Sequence, residues 1–105
     1  MNQDEIVVAL NSLADGVHQT AVDRGWHEEV VSIPVLIALI HSEASEALEA
    51  DRKHMGNEAI AEELADIVIR VLDAARTHGL DIAQAIISKA ERNRGRAYRH
   101  GGKKY

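Results

Sequence analysis

The sequence predicts an all-α protein, arranged as an antiparallel four-helix bundle. Apolar residues recur at intervals of three and four along almost the whole chain, and no segment alternates in the manner of a half-buried strand. Short breaks separate the last three helices, which is typical of antiparallel neighbours. With 105 residues the chain has the length of one domain. We therefore expect a single helical domain over residues 1–105, with a flexible tail from about residue 99.

Each helix has recognisable ends. The first is predicted over about residues 4–22 and stops at the break over residues 23–28. The second is expected to begin after Ser32 as its cap, with Pro34 in the first turn, and to reach about residue 53. The third is predicted to have Asn57 as its N-cap and to stop at Gly79. Asp81 is expected to cap a fourth helix that extends to about residue 98.

Composition limits the possible partners. The formal net charge of −5 argues against sequence-independent nucleic-acid binding, and the longest apolar run, residues 33–40, is too short to cross a bilayer. Residues 1–5 lack the pattern of a signal peptide and there is no cysteine, so a cytoplasmic location is expected. With no Phe and one Trp the core must be small and aliphatic. This favours self-association as a dimer or tetramer.

Two acidic pairs carry the main functional signal. Glu43 and Glu46 lie three residues apart on helix two, and Glu63 and Asp66 lie three apart on helix three, so each pair shares a helix face. If the two helices pack antiparallel, the four carboxylates converge and repel by roughly 3 kcal/mol per close pair. Convergence then requires protons or a hard cation, Mg²⁺ or Mn²⁺. A solvated acidic face is the simpler alternative.

The motif Glu-x-x-Glu, separated by 16 residues from a following Glu-x-x-Asp, resembles the MazG-type all-α nucleotide pyrophosphohydrolases. The similarity covers about residues 36–96, and residues 62–67 are its most specific part. It implies that Glu43, Glu46, Glu63 and Asp66 hold Mg²⁺ and that a nucleoside triphosphate, ribo or deoxy, is cleaved to monophosphate and pyrophosphate. House-cleaning of nucleotide pools is one role this implies. Either Glu46 or Glu63 is then the favoured general base. Ser42 departs from the pattern, because the family often has a glutamate there.

Helix four and one loop supply candidate substrate contacts. On helix four an apolar stripe becomes polar at Lys89, Asn93 and Arg96, side chains suited to phosphate, sugar or base, although a cationic helix end also complements the helix dipole. The lysine–asparagine spacing resembles the substrate-contacting helix of the same family. Trp26 follows a glycine in a loop and is expected either to stack on a nucleobase or to plug the end of the bundle. Arg70 is expected to pair with Asp66 or to hold it in place.

Two other functions fit the same residues. The non-enzyme alternative is a nucleotide-binding, oligomerisation or regulatory module that does not cleave its ligand. A related enzyme that acts on phosphoribosyl-linked nucleotides would share the metal site. His18 and His41 can border a pocket, but single helix histidines are more often structural. No phosphate-binding glycine loop and no paired cysteines support another chemistry.

Overall fold

A computed structural model of the chain describes residues 1–95. It contains α1 (Gln3–Asp23), α2 (Ile33–Arg52), α3 (Asn57–Thr77) and α4 (Ile82–Arg94), and within these 95 residues there is no strand. The all-α class and the four helices are thus confirmed. The fourth helix ends at Arg94, with Gly95 as its C-cap, and is shorter than predicted. The tail predicted to be flexible lies outside the described residues.

Side-chain caps define the beginnings of two helices. Asn2 and Glu5 form a capping box at α1, in which the Asn2 side chain accepts a 2.8 Å hydrogen bond from the Glu5 backbone nitrogen. Asp81 accepts a 3.1 Å hydrogen bond from the backbone nitrogen of Gln84, as predicted for α4. These side chains satisfy backbone donors that a helix leaves unpaired in its first turn.

The predicted cap of α3 is wrong by one residue. Gly56 occupies the cap position at φ 96°, and Asn57 is the first helical residue. Glycine adopts this conformation without a steric penalty, so the helix begins one position earlier than predicted. Ser32 does occupy the cap position of α2, but its side chain makes no capping hydrogen bond.

The first three helices end in the same way. Gly25, His54 and Gly79 follow the helix ends with φ values of 81°, 52° and 65°. The next amide in each case bonds back to a carbonyl five residues earlier, at 3.0 Å for Trp26 and Met55 and 2.8 Å for Leu80. This is the Schellman arrangement, which ends the helix and pairs carbonyls of its last turn. At α1 it brings Trp26 immediately after the turn.

The helices do not pack evenly. α2 and α3 form an antiparallel hairpin, α1 lies against α3, and α4 packs mainly against α1. The buried apolar residues are mostly small, namely Ala14, Ala21, Leu36, Ala47, Ala50, Leu72, Ala75, Ala83 and Ile87. The radius of gyration is 15.9 Å, against about 13 Å for a compact chain of this length. One copy is therefore open rather than spherical.

One apolar face of α3 continues past its packing partners. Leu64, Val68 and Leu72 are four residues apart and share a side of the helix. Leu72 is 2% exposed, whereas Leu64 and Val68 are 51% and 53% exposed. The face that is buried toward the carboxyl end of α3 is thus uncovered toward its amino end. No helix among residues 1–95 combines the length and apolar character needed to cross a bilayer.

Candidate functional site

Three of the four predicted metal ligands meet between α2 and α3. Each of Glu43, Glu63 and Asp66 offers a carboxylate oxygen, and these three oxygens lie within 4.8 Å of one another. The antiparallel hairpin brings the middle of α2 beside the first half of α3, while helical spacing places Glu63 and Asp66 on one face. Glu43 and Glu63 are half-buried, and Asp66 is exposed. The group therefore lies at the edge of the hairpin, open to a ligand from solvent.

One carboxylate oxygen of this group lacks a hydrogen-bond donor among residues 1–95. Glu63 Oε2 is buried and has no hydrogen-bond donor among residues 1–95. A buried carboxylate oxygen without a partner is costly, because it loses water without receiving another donor. A divalent cation held by oxygens from all three residues would satisfy it. Oxygen-only donors suit Mg²⁺ or Mn²⁺, so the residues present fit the predicted ion.

Arg70 joins this group to the loop after α1. Its Nε lies 3.3 Å from Glu43 Oε1, and its guanidinium carbon lies 4.6 Å from the centroid of the Trp26 ring. The expected pairing of Arg70 with Asp66 is wrong, because the arginine reaches across to α2 instead of along its own helix. Trp26 is 48% exposed, so it does not plug the interior. Through Arg70, the half-exposed ring is linked to Glu43 of the carboxylate group.

Glu46 stands apart from the close group of three. It is exposed and lines a shallow depression with Glu63, Ser42 and Glu49, on the side where Lys53 and Met55 close the hairpin. Glu63 therefore belongs both to the metal-competent group and to the depression that contains Glu46. The structure thus places Glu46 beside the group but not among its three closest oxygens.

The predicted cationic stripe lies elsewhere on the molecule. Lys89 and Asn93 line an open depression formed by α4 residues alone, with Ile82, Ala85, Ile86 and Ala90. No α2 or α3 residue among the described part of the chain lines it. Arg96 lies outside the described residues. Within one copy, Lys89 and Asn93 therefore do not share a depression with Glu43, Glu63 and Asp66.

The structure brings together a second group of polar side chains, which the sequence does not predict to lie in contact. His18 on α1 and His27 in the following loop both contact Asp73 of α3, at 2.8 and 2.9 Å. Asp73 is 2% exposed and is the buried charged residue of the described chain. Its signal in the sequence is an acid within the apolar stretch of residues 71–75. His41, the other histidine considered, is exposed on α2.

Comparisons of the chain with protein-family models, curated proteins and solved structures found no match. A functional assignment therefore depends on the side chains themselves. Between α2 and α3 they offer oxygen ligands for a hard cation, a neighbouring exposed carboxylate and a half-exposed aromatic ring. This combination can bind a metal-complexed phosphate compound that carries an aromatic group.

Proposed function

We propose that the chain is a Mg²⁺-dependent nucleoside triphosphate pyrophosphohydrolase, which converts a ribo- or deoxyribonucleoside triphosphate to the monophosphate and pyrophosphate. The observation that carries the proposal is the group of Glu43, Glu63 and Asp66, with three carboxylate oxygens within 4.8 Å and one buried oxygen lacking a donor. The motif resemblance to MazG-type enzymes supports the same reaction. House-cleaning of nucleotide pools is the role we favour.

Glu43, Glu63 and Asp66 would hold the ion, with Mn²⁺ as an alternative. When bound, Mg²⁺ polarises the phosphate and neutralises the charge that develops during hydrolysis. Arg70 orients Glu43 through their 3.3 Å contact and offsets part of the negative charge of the group. The protein thereby supplies a site that is anionic enough for the cation and still tolerates the phosphates.

Glu46 suits the role of general base better than Glu63. It is exposed, lies outside the close group and lines the same depression as Glu63. A carboxylate in this position can accept a proton from a water molecule that attacks the phosphate, because it is not engaged in holding the ion. Glu63, with its buried oxygen, is better suited to hold the ion.

Trp26 is assigned to the nucleobase. Nearly half of its surface is accessible, and Arg70 fixes the ring next to Glu43. Stacking on an aromatic ring is tolerant of base identity and contributes about 1–3 kcal/mol. Lys89, Asn93 and Arg96 are assigned to the phosphate and sugar, which requires α4 of one copy to approach the carboxylate group of another.

Self-association is therefore part of the proposal. The exposed Leu64 and Val68, the radius of gyration of 15.9 Å and the separation of Lys89 from the carboxylate group support a homodimer or a higher homo-oligomer. A second copy is the occupant that covers the apolar face of α3 and completes the substrate site.

The test is to incubate the protein with ribo- and deoxyribonucleoside triphosphates and Mg²⁺ and to separate the products by chromatography. Monophosphate and pyrophosphate are expected, with loss of turnover in Glu63→Gln. Glu62→Gln, an exposed neighbour with the same charge change, is the matched control and should remain active. Release of diphosphate and orthophosphate would contradict cleavage between the α and β phosphates. Mg²⁺-dependent nucleotide binding without turnover would favour the non-catalytic binding module.

A further inference from the structure

Three side chains of types that can bind a metal ion come from three separate segments and lie in contact. His18 comes from α1, His27 from the loop that follows it, and Asp73 from α3. His18 Nδ1 lies 2.8 Å from Asp73 Oδ1, and His27 Nε2 lies 2.9 Å from both oxygens of Asp73. One donor atom from each residue can be chosen so that all three lie within 4.8 Å of one another. The two imidazole rings are 5.1 Å apart between centroids.

From this geometry we infer that His18, His27 and Asp73 form a binding site for a divalent transition ion, with Zn²⁺ as the ion it fits best. Two nitrogens and one carboxylate oxygen form a donor set that Zn²⁺ accepts and Mg²⁺ does not favour. The site thus differs in chemistry from the oxygen-only group of Glu43, Glu63 and Asp66. It also uses none of those residues, so it does not depend on the proposed hydrolysis.

The two distances between histidine and aspartate require only a small adjustment. Zinc bonds of about 2.0 Å to nitrogen and oxygen place neighbouring donors of a tetrahedral site about 3.3 Å apart. The present contacts are 2.8 and 2.9 Å, so the donors must separate by about half an ångström. His27 lies in an irregular segment, which can accommodate such a shift more readily than a helix. Each histidine binds the ion as the neutral tautomer that carries its proton on the other ring nitrogen.

The group of His18, His27 and Asp73 is accessible to solvent mainly at His18. The side chain of Asp73 is 3% exposed and that of His27 is 13% exposed, whereas 30% of the His18 side chain is accessible. An ion can therefore enter beside His18 and keep a water molecule as its fourth ligand, as is common where zinc has three protein ligands. Charge also favours binding, because a buried carboxylate is compensated by the cation.

The ion would tie the loop to the helical framework. The loop already has a second attachment, since His78 Nε2 donates a 2.8 Å hydrogen bond to the carbonyl of Val31. Zinc at His27 would fix the other end of the loop, next to Trp26. Its role is thus to hold in place the segment that carries the exposed aromatic ring.

The experiment titrates the metal-free protein of 105 residues with Zn²⁺ by calorimetry, and with Co²⁺ while visible absorption is recorded. One ion per chain and Co²⁺ absorption bands of a low-coordinate site are expected, with Zn²⁺ raising the melting temperature. His18→Gln and His27→Gln should each weaken Zn²⁺ binding by at least tenfold. The matched controls are His41→Gln and His54→Gln, which remove exposed histidines and should bind Zn²⁺ like the parent.

A second measurement does not require the variants to fold. Zn²⁺ added to the parent should shift the imidazole nuclear magnetic resonance signals of His18 and His27 and leave those of His41 and His54 unchanged. Absence of Zn²⁺ binding by the parent would overturn the inference and leave a purely hydrogen-bonded cluster. Equal losses of binding in the His18, His27, His41 and His54 variants would also overturn it, since they would indicate scattered surface binding.

Discussion

The guanidinium carbon of Arg70 lies 4.6 Å from the centroid of the Trp26 ring. Because the same arginine contacts Glu43, the only tryptophan of the chain is linked directly to the carboxylate group between α2 and α3. A cation above an aromatic ring contributes about 0.5–2 kcal/mol. That energy is enough to favour one orientation of a side chain that is 48% exposed.

Trp26→Ala is expected to raise KM for the best nucleoside triphosphate by about tenfold, because base stacking is lost. Trp26→Phe retains a ring and should stay within about threefold of the parent KM. Steady-state kinetics of the two variants, with folding checked by circular dichroism, measure this. An unchanged KM in Trp26→Ala would show that the base is held elsewhere.

Glu63→Gln should stabilise the metal-free protein by about 1 kcal/mol, because it removes one of three neighbouring negative charges. In the parent, Mg²⁺ binds the folded state and should add about 2.7 kcal/mol at a hundred times its dissociation constant. This increment should shrink in Glu63→Gln and persist in the exposed control Glu62→Gln. Urea denaturation with and without Mg²⁺ gives these free energies of unfolding. A metal-free Glu63→Gln that is less stable, with the full Mg²⁺ response, would identify an ordinary solvated face.

Lys89→Ala should lower kcat/KM and leave stability within about 0.5 kcal/mol of the parent, since an exposed cation contributes little to folding. Activity and urea denaturation check the two halves of this expectation. A loss of stability with full activity would make Lys89 structural.

Mixing the impaired Lys89→Ala variant with the inactive Glu63→Gln variant tests whether a substrate site contains residues from two copies. If α4 of one copy completes the carboxylate site of another, mixed oligomers contain some sites in which both residues are intact. Activity of the mixture should then exceed the sum of the two separate preparations, after exchange of subunits. Lack of any recovery, with exchange verified, would place both residues in the same copy.

Val68→Asp is expected to convert the proposed oligomer to monomers, because it introduces a charge into the uncovered apolar face of α3. Val30→Asp is the matched control, since Val30 is 93% exposed in the loop. Sedimentation velocity should show the parent and Val30→Asp as oligomers of equal size. A monomeric parent would contradict the proposed self-association.

His54→Gly should raise the free energy of unfolding by about 0.5–1 kcal/mol, because φ 52° is unfavourable for a side chain and natural for glycine. Gly79→Ala is the converse change at φ 65° and should lower it by about 1 kcal/mol. The added methyl group at Gly79 meets no atom within 4 Å, so that loss isolates the backbone cost. Chemical denaturation of both variants measures the two effects.

The helices could be predicted from signals between residues close in sequence, whereas contacts between distant residues could not be predicted. Asp81 caps α4 as expected because a cap involves residues three apart, whereas the cap of α3 shifted to Gly56 through its positive φ. Glu63 and Asp66 share a face through helical spacing alone. By contrast, His18 and Asp73 are 55 positions apart in sequence, so their contact depends on how α1 crosses α3. No spacing in the sequence predicts a contact between two residues this far apart.

The alanine-rich interior has a consequence for how the protein behaves on dilution. Among residues 1–95, six of the nine buried apolar residues are alanines, each of which removes little surface from water on folding. If the remaining apolar surface is covered only by another copy, folding and assembly share one equilibrium. Lowering the protein concentration then acts as a denaturant, and the amount of the chain in the cell sets how much of it is folded.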